Sequence, residues 1–277
     1  MRRVWIITNP ASGSTSPARI AEVEAVLVEA GATIVGRTDF PAHDLPEGAA
    51  LDAASIDTVV LFAGDGTINA AVCRLARWSG ATLILPGGTM NLLARALHGP
   101  AGLADIVAAA KAPRLVSLPF VEAGPHRAFV GLIIGPAAHW VRAREAVRKG
   151  NLRRFVAAVR NAWRRSFARG VRLAGTGGLR DRYQAVMVRP IEGALALAAI
   201  DARDWRSIAA LGWDWLTGDW MAARAVATAE ATTFAVAGSR PVLALFDGEP
   251  VLLDPGATIS GGVTERRYIA TVQPEIG

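Results

Sequence analysis

Residues 58–78 constrain this chain more than any other stretch. Val59-Val60-Leu61-Phe62 is an uninterrupted apolar run with no charge, which predicts a strand buried on both faces. It runs into Ala63-Gly64-Asp65-Gly66-Thr67-Ile68-Asn69, and a helix-like segment follows through Trp78. A strand that passes through a glycine-rich turn into a helix is the layout of an anion site, because backbone N–H groups in the turn and at the helix start point at the ligand. Asp65 would repel a bare phosphate. A divalent cation between carboxylate and phosphate removes that conflict, so the stretch points to a nucleoside triphosphate with Mg²⁺. The simpler alternative is a plain strand-turn-helix with Asp65 in solvent.

The pattern is not a Walker loop: the chain has two lysines, Lys111 and Lys149, neither in a Gly-Lys-Ser/Thr context. Two further turns repeat the layout. A short apolar strand at 4–8 leads into Asn9-Pro10-Ala11-Ser12-Gly13. A helix then starts at Ser16-Pro17, with Ile20, Val23, Val26, Leu27 and Ala30 on one stripe and Gly31 at its end. A third strand at 82–85 leads into Pro86-Gly87-Gly88-Thr89-Met90-Asn91 and a helix at 92–97. In an open parallel sheet such strand ends converge on one crevice.

These three motifs, with Phe246-Asp247-Gly248-Glu249-Pro250 late in the chain, resemble the diacylglycerol kinase catalytic domain family. That family includes bacterial soluble lipid kinases, sphingosine kinases and ceramide kinases. The four motifs occur in the family's order and span the chain nearly end to end. The resemblance implies an ATP:lipid phosphotransferase with the nucleotide in a cleft between an α/β domain and a β-rich domain. Asn9, Pro10, Ser12 and Gly13, with Gly64, Asp65, Gly66, Thr67 and Asn69, would cradle the nucleotide and its phosphates. Gly88 and Thr89 would do so from the third turn, with the Thr89 hydroxyl on offer. Thr38 corresponds to a nucleotide-contacting threonine. Asp65 would hold Mg²⁺ through water. Glu249 would accept the proton of the acceptor hydroxyl, with Asp247 as the alternative; an extended backbone would place both on one side. A tight Asp-Gly turn joining two strands is the competing reading of the same residues.

The chain also departs from the family. Bacterial members carry an accessory metal site on an Asp-Gly-x-Leu-Asp pattern, and the aligned stretch here is Glu192-Gly193-Ala194-Leu195-Ala196, so that site is expected to be weak or absent. Ala63 replaces a usual glycine. Ala42-His43-Asp44 stands where Gly-His-Ala is expected, which makes His43 a poor catalytic choice. The four histidines have no metal-ligand spacing.

Composition fits one large or two modest domains: 277 residues, 52% hydrophobic. One cysteine, Cys73, excludes an internal disulfide and agrees with a reducing, cytoplasmic setting. The N-terminal apolar run reads as a first strand rather than a signal peptide, and no apolar segment is long enough to span a bilayer. The net charge of +6 is uneven: residues 142–169 hold nine arginines and one lysine against one acid. Leu152, Phe155, Val156, Val159, Trp163 and Phe167 recur there at helical spacing, as in a basic amphipathic helix. Such a helix suits a solvated face or peripheral contact with an anionic membrane on the inner face. It has no nucleic-acid reading motif, so no nucleic-acid partner is expected. Trp205, Trp213, Trp215 and Trp220 cluster within sixteen residues, as a packed helix or a lipid-facing patch would require.

The expected fold is therefore an N-terminal doubly wound α/β nucleotide-binding domain, residues 1–115, followed by a C-terminal β-rich, sandwich-like lipid-acceptor domain, residues 116–277. The expected activity is an ATP-dependent kinase acting on a hydroxyl of a diacylglycerol-like or sphingoid lipid. Two alternatives stand beside it: a catalytically weak nucleotide-binding regulator, and a kinase of a soluble acceptor such as NAD, whose enzymes also use a Gly-Gly-Asp motif.

Overall fold

Apolar runs with few charges become the buried parallel strands of the first unit. The computed structural model describes residues 1–12, 15–88, 91–135, 170–179, 181–200 and 227–272. The first unit comprises residues 1–118 and 263–277. Its chain order is β1 (Arg3–Thr8), α1 (Pro17–Glu29), β2 (Thr33–Asp39), α2 (Gly48–Ala53), β3 (Thr58–Ala63), α3 (Asp65–Arg74), β4 (Ala81–Pro86), α4 (Leu92–His98), α5 (Leu103–Ala109) and β5 (Arg114–Val116). Every residue of β3 is buried, as expected for a central parallel strand covered on both faces. The α1 helix starts where the sequence predicts: the Ser16 side chain accepts the Arg19 N–H and Pro17 occupies the first turn. Its buried residues, Ile20, Val23 and Leu27, pack in one core with Val4, Ile6, Val60, Phe62, Leu83 and Leu85. Full burial of each such side chain contributes about 1.5–3 kcal/mol.

The second unit covers residues 119–262. Its described strands are β6 (Pro119–Ala123), β7 (His126–Ala128), β8 (Leu132–Ile134), β9 (Arg172–Ala174), β10 (Ala185–Ile191), β11 (Ala194–Ile200), β12 (Ala227–Ala231), β13 (Thr233–Ala237), β14 (Val242–Phe246), β15 (Glu249–Leu253) and β16 (Thr258–Val263). They form two sheets, ordered β12-β11-β10-β8-β14-β15 and β7-β6-β16-β13-β9. The pairings are antiparallel, and residues of both sheets, among them Val121, Ile134, Val188, Leu197, Phe234, Phe246 and Ile259, share one core. The basic segment at 142–169 and the tryptophan-rich stretch at 205–220 lie outside the described residues.

The chain ends in β17 (Tyr268–Ala270), and here the structure corrects the sequence reading. A continuous second domain at 116–277 would keep this strand with the β-rich part. Instead β17 runs parallel to β4 and antiparallel to β5, completing the first sheet in the order β2-β1-β3-β4-β17-β5. Tyr268 and Ile269 are fully buried there, and the buried Arg267 guanidinium donates to the Trp78 carbonyl. An apolar strand pairs wherever an open edge covers it, and β4 offers that edge.

The order β2-β1-β3 places a topological switch point between β1 and β3. The chain leaves β1 toward β2 on one side and later fills the other side with β3. In open parallel sheets the crevice outside such a switch point is where ligands bind.

Candidate active site

Two of the predicted turns flank the switch point and are bonded to each other. Asn9 closes its own turn by accepting the Ala11 N–H at 2.9 Å, and its Nδ2 donates to the Thr67 hydroxyl at 2.9 Å. Ser12 Oγ accepts the Gly64 N–H at 3.1 Å. The turn after β1 is thereby fastened to the first turn of α3. Pro10 is exposed. Gly13 and Thr89 fall outside the described residues.

The third turn joins through backbone contact. A Cβ on Gly88 would stand 2.7 Å from the Gly64 Cα, and one on Gly87 would stand 2.6 Å from the Ala63 nitrogen. Only glycine permits that approach. Asn91, in the left-handed region at φ 53°, turns its side chain back to accept the Gly88 N–H at 2.6 Å. Buried Thr15 adds a link that the sequence reading missed. Its hydroxyl lies 2.7 Å from the Asn9 carbonyl and 3.4 Å from that of Gly87. A lone threonine two residues after a glycine carries no sequence signal for this role.

No side chain caps α3, and Gly66 in its first turn is exposed. A helix start of this kind favours an anion. Asp65 resolves the sign problem raised by its sequence. Its Oδ1 accepts the Leu92 N–H at 2.9 Å, so its charge also serves the start of α4. Burial pushes its carboxyl above the usual carboxylate range, against the lowering effect of the Leu92, Leu93 and Asn91 N–H groups. Asn69, one turn further along α3, accepts from the Cys73 thiol at 3.6 Å.

Thr38 stands apart from these contacts. It is buried on β2, and its hydroxyl accepts the Trp5 indole N–H at 3.0 Å. Beside it, Asp39 takes the Thr8 hydroxyl at 2.6 Å and pairs with Arg37; the Thr8 bond first, then Arg37, holds its carboxyl below the usual range.

Among the described residues no group of three His, Cys, Asp or Glu side chains could hold an ion. Among the described residues a resident, fully protein-ligated metal does not fit. A Mg²⁺ that arrives with a nucleotide does, because such ions keep several waters and use one or two carboxylates besides the phosphates. Asp65 is the carboxylate at the turn after β3.

In the second unit the Asp247-Gly248 pair corrects the extended-backbone expectation. Asp247 has φ 46° and Gly248 φ 91°, and Phe246 pairs directly with Glu249. The two residues form a tight hairpin turn with both positions left-handed, as in type I′. The Asp247 carboxylate accepts three successive backbone N–H groups, from Phe129 at 2.8 Å, Val130 at 2.9 Å and Gly131 at 3.0 Å. Glu249 is exposed at the first position of β15. The Glu192-Gly193 pair likewise forms a two-residue turn between β10 and β11, and Ala196 is buried in β11 opposite Glu230.

Comparison with known proteins bears out the resemblance drawn from the motifs. Residues 3–118 match the model of the diacylglycerol kinase catalytic domain. The match covers β1 through β5 and includes the three turns that meet at the switch point. No curated protein matches the chain. Solved structures do. One is described as a diacylglycerol kinase from Bacillus anthracis, with a TM-score of 0.67 at 18% identity, over 98% of this chain and 97% of that one. Another, a candidate diacylglycerol kinase from the same organism, has a TM-score of 0.65 at 18% identity over 100% and 99%. At that identity the likeness is one of fold, and it extends over the whole chain.

Proposed function

We propose that the protein is an ATP-dependent lipid kinase that transfers the γ-phosphate to a hydroxyl of a diacylglycerol-like or sphingoid lipid. The observation that carries this reading is the mutual fastening of the three turns after β1, β3 and β4, with the α3 start uncapped among them. Phosphoryl transfer requires positioning and electrostatic stabilisation more than covalent chemistry. The N–H groups at the start of α3 orient the phosphates, and the Asn9, Ser12 and Thr67 contacts keep that turn from moving. Mg²⁺ carried in with the nucleotide would neutralise charge on the transferred group, with Asp65 reaching it through water. Glu249, exposed and at the end of a tight turn, takes the proton from the acceptor hydroxyl.

The first unit is assigned to the nucleotide and the second to the acceptor, in a protein that works in the cytoplasm and visits an anionic membrane surface. The test is transfer of labelled γ-phosphate from ATP to a panel of diacylglycerols, sphingoid bases and NAD. Label in a lipid phosphomonoester supports the proposal, and label in NAD alone moves it to a soluble acceptor. ATP binding with no transfer to any acceptor indicates a nucleotide-binding regulator.

A further inference from the structure

We propose that Asp247 is a positioning residue and not a proton acceptor: its carboxylate fastens the Asp247-Gly248 turn to the backbone of residues 129–131, and that turn sets the place of Glu249. The consequence for Glu249 rests on its reading as the base.

The turn holds a non-glycine residue at φ 46°, a left-handed conformation that is unfavourable unless the surroundings stabilise it. Here they do. Three consecutive N–H groups converge on one carboxylate, an arrangement that binds anions. A reciprocal bond runs from the Asp247 N–H to the Gly131 carbonyl at 3.0 Å. The segment on the other side is packed in place. It leads directly into β8, which lies between β10 and β14 within its sheet. Phe129 is buried and meets the Phe120 ring edge-on at 6.2 Å. Arg127 stacks over the same ring at 3.8 Å while it pairs with Glu122.

Among the described residues Glu249 has no comparable anchor of its own. It opens β15, which among the described residues is an edge strand paired with β14. Pro250 follows and has no N–H to offer. Where Glu249 stands therefore depends on the turn, and the turn depends on Asp247.

The same bonds argue against Asp247 as a base. Oδ1 takes the Val130 and Gly131 N–H groups and Oδ2 takes that of Phe129. A proton on Oδ1 would break a bond already made, and a proton on Oδ2 would remove the charge on which all three N–H groups converge.

The experiment compares Asp247→Ala, Asp247→Asn and Glu249→Gln in two readouts. The first is amide hydrogen exchange at Phe129, Val130 and Gly131, which needs no substrate. Exchange is expected to quicken at least tenfold in Asp247→Ala and less in Asp247→Asn, since asparagine keeps one acceptor oxygen and tolerates this backbone. The second readout is kcat for lipid phosphorylation, its pH profile and the Kd for ATP. The Asp247→Ala variant is expected to lose about 10- to 100-fold in kcat with ATP affinity unchanged. Asp247→Asn should recover part of that loss and keep the acid-side limb of the profile, which Glu249→Gln removes. If Asp247→Ala does not fold, Asp247→Asn carries both readouts. Unchanged exchange at residues 129–131 overturns the anchor. Loss of the acid-side limb in Asp247→Asn overturns the positioning role and makes Asp247 the base. A folded Asp247→Ala with full kcat also contradicts the proposal. If wild type phosphorylates no lipid, the kinase reading fails on its own, and exchange still decides the anchor.

Discussion

At the scale of single residues, both motif aspartates serve the backbone. Asp65 accepts from the start of α4, and Asp247 accepts three N–H groups in the second unit. Two substitutions separate the roles of Asp65. Asp65→Asn keeps a carbonyl oxygen for the Leu92 N–H and loses only the charge, so the fold should stand while turnover falls at least about 100-fold. Asp65→Ala also leaves the start of α4 without its acceptor and should cost about 0.5–2 kcal/mol of stability. Thermal melts and label-transfer rates on the two variants check this. Equal melting temperatures for Asp65→Ala and wild type would remove the helix-start role. Full turnover in Asp65→Asn would remove the metal-facing one. Neither backbone role is legible in a Gly-Asp-Gly or Asp-Gly-Glu string, because the N–H donors lie 27 and more than 110 residues away.

At the scale of elements, the turns work because their backbones touch. Gly88→Ala would drive a methyl group to 2.7 Å from the Gly64 Cα, with only backbone to yield. A loss of about 1–3 kcal/mol in stability is expected, together with weaker ATP binding, from denaturant midpoints and titration calorimetry. An unaltered midpoint would mean that the two turns have room to part.

His98 at the end of α4 makes a second element-scale prediction. It is buried, with Nε2 against the Ile84 carbonyl at 2.9 Å and Nδ1 against the Thr271 hydroxyl at 3.1 Å. It thus ties α4 to β4 and to the returning C-terminal segment. Burial lowers its pKa from 6.5 to about 4, with the Ile84 carbonyl opposing. The folded state therefore needs the neutral ring. Its contribution is complete above pH 6.5 and is lost as pH falls toward 4, by about 2 kcal/mol at pH 5. Denaturant midpoints at pH 7.5 and 5 should show that drop in wild type and a smaller one in His98→Gln. Equal drops would place the acid sensitivity elsewhere.

The elements themselves were unevenly legible. Strands β1, β3 and β4 read as apolar runs because both faces are buried, and α1 announced its start with Ser16-Pro17. Strand β12 did not, since Ala-Thr-Ala-Glu-Ala is poor in β-branched and aromatic residues and gains its place by pairing with β11. The run at 127–134 has the composition of one continuous strand. It is split at 129–131, where its N–H groups turn to Asp247 instead of a ladder.

At the scale of the whole molecule, the match over residues 3–118 accounts for the first three motifs, and β17 explains why the chain's last segment belongs with them. A strand's partner across 180 residues has no local signature, so the return was not legible from the 268–272 run. Charge at this scale makes a prediction of its own. The segment at 142–169 carries +9 while the rest of the chain carries −3. Binding to vesicles with anionic headgroups should exceed binding to neutral ones at low salt and weaken on raising salt to 0.5 M. Equal sedimentation with both would reduce the segment to a solvated surface.

The central claim is that the turns after β1, β3 and β4 form one phosphate site. The most direct measurement is amide chemical-shift perturbation on titrating Mg²⁺·ATP into isotope-labelled protein. The predicted result is concerted, saturable shifts at Ala11, Ser12, Gly64, Gly66, Thr67 and Gly88, with one dissociation constant, reversed by excess EDTA. Binding that leaves these amides unmoved, or no binding at millimolar ATP, would contradict the account.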